Sequence, residues 1–290
     1  MSIIEPMKKG LVMEGGAMRG LFTAGVIDVL MENGINFDGA CGVSAGACFG
    51  VNYKSSQIGR VIRYNLKFNR NWRYKGIRSL IFTGDIYGAD FCYHELPSTL
   101  DYFDIETFVK NPMEFYVVAT DLNTGKAVYK KLSDGKYNDL EWIRASASMP
   151  IASRVVKIDG YELLDGGISD SIPLKFMNKT GYEKNLVILT QPADFVKKPY
   201  TSIMKAFKLF LHKYPNTIDA LKNRHTMYNE QLAYVSESEK HGDSYVIRPP
   251  EPLNIGSIEK DENELKRVYE LGRKTCIEQL DEIRKFLEER

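Results

Sequence analysis

Ser44 stands in Gly42-Val43-Ser44-Ala45-Gly46, a Gly-x-Ser-x-Gly pattern. That spacing suits a nucleophile elbow, a tight bend between strand and helix that exposes a serine Oγ at the helix N-terminus. Gly42 and Gly46 keep side chains away where the backbone reverses. Taken by itself the pentapeptide also fits a plain tight turn. A serine hydroxyl is a weak nucleophile, so acyl transfer needs two further parts: a base for its proton and N–H donors for the developing oxyanion.

The base has two candidate sources. Four histidines occur, His94, His212, His225 and His241, none in a glycine- or turn-rich context. On chain order alone His225 or His241 could close a Ser-Asp-His triad. An α/β-hydrolase, however, places several strands before its nucleophile, and here one strand and one helix precede Ser44. The other source is Asp165, which follows an apolar strand end and precedes Gly166-Gly167. Those glycines let another backbone approach closely. A turn aspartate is the plain alternative, but beside an early elbow the catalytic reading is the better one. A carboxylate touching the serine can act as general base directly.

The donors have one evident source, Gly15-Gly16-Ala17-Met18-Arg19-Gly20. Glycines before a helix expose unpaired N–H groups, and the helix dipole adds positive potential. Arg19 can hold the loop or attract an anionic head group. A dinucleotide site is a poor fit, because Ala17 breaks the Gly-x-Gly-x-x-Gly spacing and Asp38 sits at the start of its strand. No Gly-Lys-Ser/Thr follows either.

These residues need a frame. Leu11-Val12-Met13 reads as a strand, Leu21 to Met31 as a helix closed by Asn33-Gly34, and Phe37 to Val43 as a second strand running into the elbow. The alternation argues for a parallel sheet covered by helices on both faces. Phe115 to Thr120, Leu186 to Leu189 and Ser244 to Ile247 read as further strands, and Asp159-Gly160 as the turn of a hairpin that delivers the chain to Asp165. Asp139 is expected to cap a helix through Arg144 or beyond, with Pro150 marking its end. From about Ser257 onward one charged amphipathic helix is expected. No repeat or clear linker appears. The expectation is one domain over 1–290, with the motifs in about 8–190 and the strand and helices of 191–290 packed on it.

Together, Glu14 to Gly20, Gly42 to Gly46 and Asp165-Gly166-Gly167, in that order, resemble the patatin-like phospholipases. Arg144-Ala145-Ser146-Ala147-Ser148-Met149-Pro150 is similar to the small-residue segment those proteins carry before the aspartate. The resemblance covers roughly residues 8–190. It implies a three-layer α/β/α sandwich with a mainly parallel central sheet, and a Ser-Asp dyad hydrolysing lipid esters without metal or cofactor. Carried over by position, Ser44 is the nucleophile and Asp165 the proton acceptor. The backbone at Gly15, Gly16 and Ala17 forms the oxyanion hole, supported by Arg19 and Gly20. Ala17 departs from the pattern, since many members have a third glycine there. A positive φ at Ala17 would strain the hole. A lipid- or anion-binding protein of the same fold without turnover, and a conventional Ser-His-Asp esterase, are the alternatives.

The remaining composition bounds the setting. The 290 residues carry a net charge of +1, so no global charge favours nucleic acid. Cys41, Cys48, Cys92 and Cys276 follow no metal or disulfide spacing and read as free thiols. Met1 to Pro6 lacks the basic-then-apolar pattern of a signal peptide, and no apolar run reaches the ~18 residues of a membrane span. A cytoplasmic protein is expected. Two stretches are candidates for peripheral membrane contact. One is 54–82, where Lys54, Arg60, Arg63, Lys67, Arg70, Arg73, Lys75 and Arg78 interleave with Tyr64, Phe68, Trp72 and Tyr74 without an acidic residue. The other is 197–214, which holds the basic-apolar run from Phe207 to Tyr214.

Overall fold

The computed structural model describes residues 7–288, so the N-terminal segment Met1 to Pro6 lies outside the described residues. The chain opens with β1 (Lys8–Met13), a 3-10 turn (Ala17–Arg19), α1 (Gly20–Glu32), β2 (Gly39–Val43) and α2 (Ala45–Lys54). Three short segments follow: α3 (Arg60–Lys67), α4 (Ile77–Thr83) and a π-helical stretch (Phe91–Leu100). Next come α5 (Ile105–Lys110), β3 (Glu114–Asp121), β4 (Lys126–Lys131), α6 (Tyr137–Ser146), β5 (Val156–Ile158) and β6 (Tyr161–Asp165). After a 3-10 turn (Gly166–Ile168) the chain forms α7 (Leu174–Lys179), β7 (Tyr182–Ile188), α8 (Met204–Phe210) and α9 (Pro215–Lys240). It ends with β8 (Ser244–Ile247), α10 (Glu262–Glu278) and α11 (Leu280–Glu288).

All eight strands join one sheet in the order β5-β6-β3-β2-β1-β7-β8, with β4 also on β3. The run from β3 to β8 is parallel, whereas β4, β5 and β6 pair antiparallel. The central strands are continuous apolar runs because both faces are covered. Side chains alternate between two layers accordingly. Leu11, Met13, Ala40, Leu186 and Ile188 pack in one cluster with α1, α2 and α10. Val12, Cys41, Val43, Val187 and Leu189 pack in the other, with Leu174 and Met177 of α7 and Tyr228 and Val235 of α9. This is an α/β/α sandwich with a mixed, mainly parallel sheet.

α1 is buried from Gly20 to Leu30, as expected of a helix that is apolar all round. Its outer side is covered by α10, and a Cβ at Gly25 would lie 2.1 Å from the Tyr269 carbonyl oxygen. Two local expectations are corrected. Asp139 does not cap α6, which begins ahead of it at Tyr137. Its Oδ2 instead accepts the N–H groups of Ser133, Asp134 and Gly135 at 2.7–2.8 Å and so closes the preceding turn. α6 stops at Ser146, before Pro150. The C-terminal helix is two helices, broken at Gln279. Among the described residues no helix is long and apolar enough to cross a membrane.

Candidate active site

Ser44 follows the last residue of β2 and precedes α2, with φ 54° and ψ −119°. Such a backbone is held only by its surroundings. The Ser44 N–H donates to Ser146 Oγ at 2.9 Å, and its carbonyl accepts from Ala47 and Cys48 at 3.0 Å. The flanking glycines are steric requirements. A Cβ at Gly46 would lie 2.3 Å from the Met13 carbonyl oxygen, and one at Gly42 would lie 2.4 Å from that of Gly46.

Strand register brings Asp165 to this serine. One β3 strand pairs with β2 as far as Val43 opposite Val118, then with β6 from Asp165 opposite Ala119. The C-terminal ends of β2 and β6 therefore meet at adjacent residues of β3. Gly166 is needed at that meeting, since a Cβ there would lie 2.2 Å from the Val118 carbonyl oxygen. Asp165 is 8% exposed. Its Oδ1 accepts the Gly167 N–H at 2.7 Å, and Asp165 lines the same cavity as Ser44. Its own N–H donates to the Ser148 carbonyl at 2.8 Å, and Thr120 Oγ1 donates to its carbonyl at 2.8 Å. Burial pushes the Asp165 carboxyl above the usual aspartate value, while the Ser44 hydroxyl, the Arg224 charge and the Gly167 N–H pull it back.

The glycine loop supplies free donors. The N–H groups of Gly15, Gly16 and Ala17 have no acceptor among the described residues. Ala17 has φ 48°, the left-handed conformation that a glycine would adopt freely. The loop is anchored through Glu14, whose carboxylate accepts from the Thr190 N–H at 2.6 Å and from Tyr228 OH at 2.5 Å. Gly20 opens α1 where a Cβ would lie 2.7 Å from the Ala45 Cβ. Arg19 extends from the turn with its Nε buried and unpartnered.

Two cavities meet at Ser44, and Ala17 and Met149 also line both. The smaller, about 100 Å³, is apolar, with Phe49, Tyr64, Tyr74, Leu96 and Ile143 among its walls. The larger, about 370 Å³, holds Asp165, Glu14, Arg19, Lys197, Arg224 and Tyr228. No histidine lines either cavity. His94 pairs with Glu141 at 2.9 Å, His212 with the Leu209 carbonyl at 3.1 Å, and His225 with Thr226 at 3.4 Å.

Ser146, Glu14, Lys197, Arg224 and Tyr228 were not singled out for this site by sequence reasoning. Ser146 lies in the small-residue segment already noted. For α9 a signal existed: Leu221, Tyr228 and Val235 recur every seventh residue and are its buried apolar seam.

A family model for patatin-like phospholipase matches residues 11–177, more than half of the chain. The chain belongs to the patatin-like phospholipase family. A second model, a domain of unknown function (DUF6363), matches residues 214–288. The Escherichia coli protein named "Uncharacterized protein YjjU" is 26% identical over 282 residues, 93% of this chain and 76% of that one. "Lysophospholipase nte1" of Aspergillus terreus is 26% identical over 292 residues, 95% of this chain and 18% of its own length. "Lysophospholipase NTE1" of Candida albicans is 26% identical over 256 residues, 83% of this chain and 18% of that one. This patatin-like chain thus spans under a fifth of those fungal proteins. VipD from Legionella pneumophila superposes with a TM-score of 0.46 at 13% identity, covering 96% of this chain and 67% of that one.

Proposed function

We propose that this patatin-like protein is a serine acyl hydrolase that cleaves phospholipids, lysophospholipids or related acyl lipids through Ser44 and Asp165. The observation that carries the reading is that Ser44 and the buried Asp165 line one cavity, with Ser44 at the junction of that basic cavity and an apolar one. The ester carbonyl sits at Ser44 with its acyl chain in the apolar cavity and its alcohol part in the basic one. Ser44 Oγ attacks the carbonyl carbon as its proton passes to Asp165. The oxyanion is met by the free N–H groups of Gly15, Gly16 and Ala17, each donor contributing about 3–4 kcal/mol. Collapse breaks the carbon–oxygen bond, and the leaving alcohol takes the proton from Asp165. Water then attacks acyl-Ser44 with Asp165 again as base, releasing the fatty acid and restoring Ser44.

The positive φ of Ala17 does not argue for a merely binding role. An alanine there costs about 1–2 kcal/mol of backbone energy, yet its N–H remains unpaired. That is a stability cost carried by the fold.

The lipid surface meets this protein, in our reading, at α4 and α8. Ile77, Ile81 and Phe82 on α4 are 66–73% exposed, and Leu209 on α8 is 79% exposed. Arg78 stacks over Trp72 and Phe82, placing cationic charge among these side chains. Ile203 and Phe207 of the α8 region line the basic cavity, and Ile86, just after α4, donates to the Ala152 carbonyl at its rim. The four free thiols fit a cytoplasmic enzyme.

The test is a panel of lipid esters with products identified by mass, and a fluorophosphonate probe for the serine. Wild type is expected to release fatty acid and to be labelled at Ser44. Ser44→Ala and Asp165→Asn are expected to lose turnover while retaining the fold by circular dichroism. Undiminished turnover in either folded variant would sink the dyad.

A further inference from the structure

Resting on the hydrolase reading above, we propose that Arg19, Lys197 and Arg224 form a phosphate subsite for the head group of the leaving alcohol, with Arg224 contributed by the DUF6363 segment. Ser44 and these three cations line the same cavity, so one ligand can place an ester at the serine and a phosphate among the cations. Arg19 belongs to the glycine loop and Lys197 to the linker before α8, outside both matched segments. Arg224 lies on α9, inside the second match.

The cavity sets three cations against two carboxylates. None of the three cations lies within ion-pair distance of a carboxylate among the described residues. Arg19 Nε is buried without a partner, a state that costs free energy until an acceptor arrives. Arg224 is held in place by neutral groups, its Nε donating to the Gly167 carbonyl and its Nη1 to Tyr200 OH. Lys197 is fixed by reciprocal bonds with Asn229, 2.9 Å to its N–H and 3.1 Å to its carbonyl. Its Nζ sits 4.6 Å from the Tyr228 ring centroid. Glu14 and Asp165 share the cavity and offset part of that charge, yet neither forms a direct ion pair with the trio, their oxygens accepting instead from Thr190, Tyr228 and Gly167. The charges facing Lys197 are Arg224, Arg19 and Glu14. Burial, then the Arg224 charge, push its ammonium down to about 8, with Glu14 opposing and Arg19 adding to the fall. Like charges held together in a partly dry cavity are the arrangement that an anion stabilises.

The decisive comparison is kcat/KM for 1-acylglycerol 3-phosphate against 1-acylglycerol of the same chain length. Wild type should favour the phosphate-bearing ester by about tenfold or more, the scale of one charge-assisted contact. Lys197→Gln should lower kcat/KM for the phosphate-bearing ester by about fivefold or more beyond any change on the neutral ester, and Lys197→Arg should restore the preference. The wild-type preference should also fade as pH rises through about 8, because the ammonium is charged below that value and neutral above it. The Lys197→Arg preference should not fade there. Equal rates on the two esters in wild type, or equal losses on both in Lys197→Gln, would overturn the subsite. The Ser44→Ala protein separates this from the hydrolase reading, since it needs no turnover. It should bind glycerol 3-phosphate by calorimetry, and more weakly with Lys197→Gln added. Absence of that binding overturns the subsite even if hydrolysis stands, and its presence supports the subsite even if hydrolysis fails. Inorganic phosphate binding as tightly as glycerol 3-phosphate, without any preference between the esters, would assign the cations to free phosphate and refute the head-group role.

Discussion

The backbone at Ser44 allows a test of strain that is independent of catalysis. With φ 54° and ψ −119°, Ser44 occupies a region that costs about 1–3 kcal/mol for a residue with a Cβ. Ser44→Ala and Ser44→Gly both remove the hydroxyl and leave the Asp165 carboxylate in the same state, so their difference isolates the Cβ. Glycine escapes the strain. Against that, alanine restricts the unfolded chain by about 0.4–1 kcal/mol. A half-buried methyl contributes roughly 0.4 kcal/mol, half the value for a fully buried one. The balance favours Ser44→Gly by about 1 kcal/mol, near a fivefold change in the folding equilibrium. At an ordinary helix position the sign is opposite, glycine losing about 1 kcal/mol to alanine. Exposed Lys222 on α9 gives that control through Lys222→Ala and Lys222→Gly. Urea unfolding of the four variants at equal m-value is the assay. If Ser44→Gly proves less stable than Ser44→Ala while the Lys222 pair behaves normally, the elbow is not strained and the account of its glycines is wrong.

Two further outcomes follow from the site. Because the proposed base Asp165 would have to be ionised to take a proton and is raised above the usual aspartate value, kcat/KM on a soluble neutral ester should fall with acid at a pH above about 3.9. Arg224→Gln, which removes an attraction holding that carboxyl down, should move the fall to still higher pH, and a shift the other way would contradict the charge arrangement. Ile81→Asp with Phe82→Asp should weaken co-sedimentation with anionic vesicles by tenfold or more, each side chain contributing about 1.5–3 kcal/mol of burial. Hydrolysis of the soluble ester should stay unchanged, and undiminished vesicle binding would remove α4 from the docking surface.

What was legible in the sequence was local. β1, the glycine loop, α1, β2 and the elbow follow one another along the chain, and each carries its own signal in glycines, a helix stop or an apolar run. The hairpin to Asp165 is equally local, with Asp159 at φ 49° and Gly160 at φ 80° making the turn its residues announce. Charge counting along 54–82 was less informative, because charge does not report exposure. Arg60 is buried against Asp101, Lys54 donates to the carbonyls of Asn111 and Met113, and Lys75 lies 1% exposed beside Met18. Tyr64, Phe68 and Tyr74 belong to the core. Arg63, Lys67, Arg70, Arg73 and Arg78 remain exposed, beside Trp72 and the apolar face of α4. Arg224 and Tyr228 were illegible as site residues for a tertiary reason. They meet Ser44 only once α9 crosses the ends of β1, β3 and β7.

That crossing bears on what the C-terminal segment does. Tyr228 donates to Glu14, and Glu14 in turn fixes Thr190, which follows β7 and bonds the Gly15 carbonyl at 3.2 Å. Arg224 grips the carbonyl of Gly167, the residue whose N–H holds Asp165. One helix therefore touches both the loop that begins at Glu14 and the turn that holds Asp165. Removing α9 would leave the Glu14 carboxylate buried with one bond fewer, a loss of about 1–3 kcal/mol, and the Gly167 carbonyl with Ser171 Oγ alone as donor. It would also open the basic cavity to water and weaken every charge interaction inside it. On this geometry the two matched segments share one site. In the proposed mechanism the N-terminal segment holds the reacting groups, and the C-terminal segment adds Arg224 and Tyr228 to the cavity assigned to the leaving alcohol.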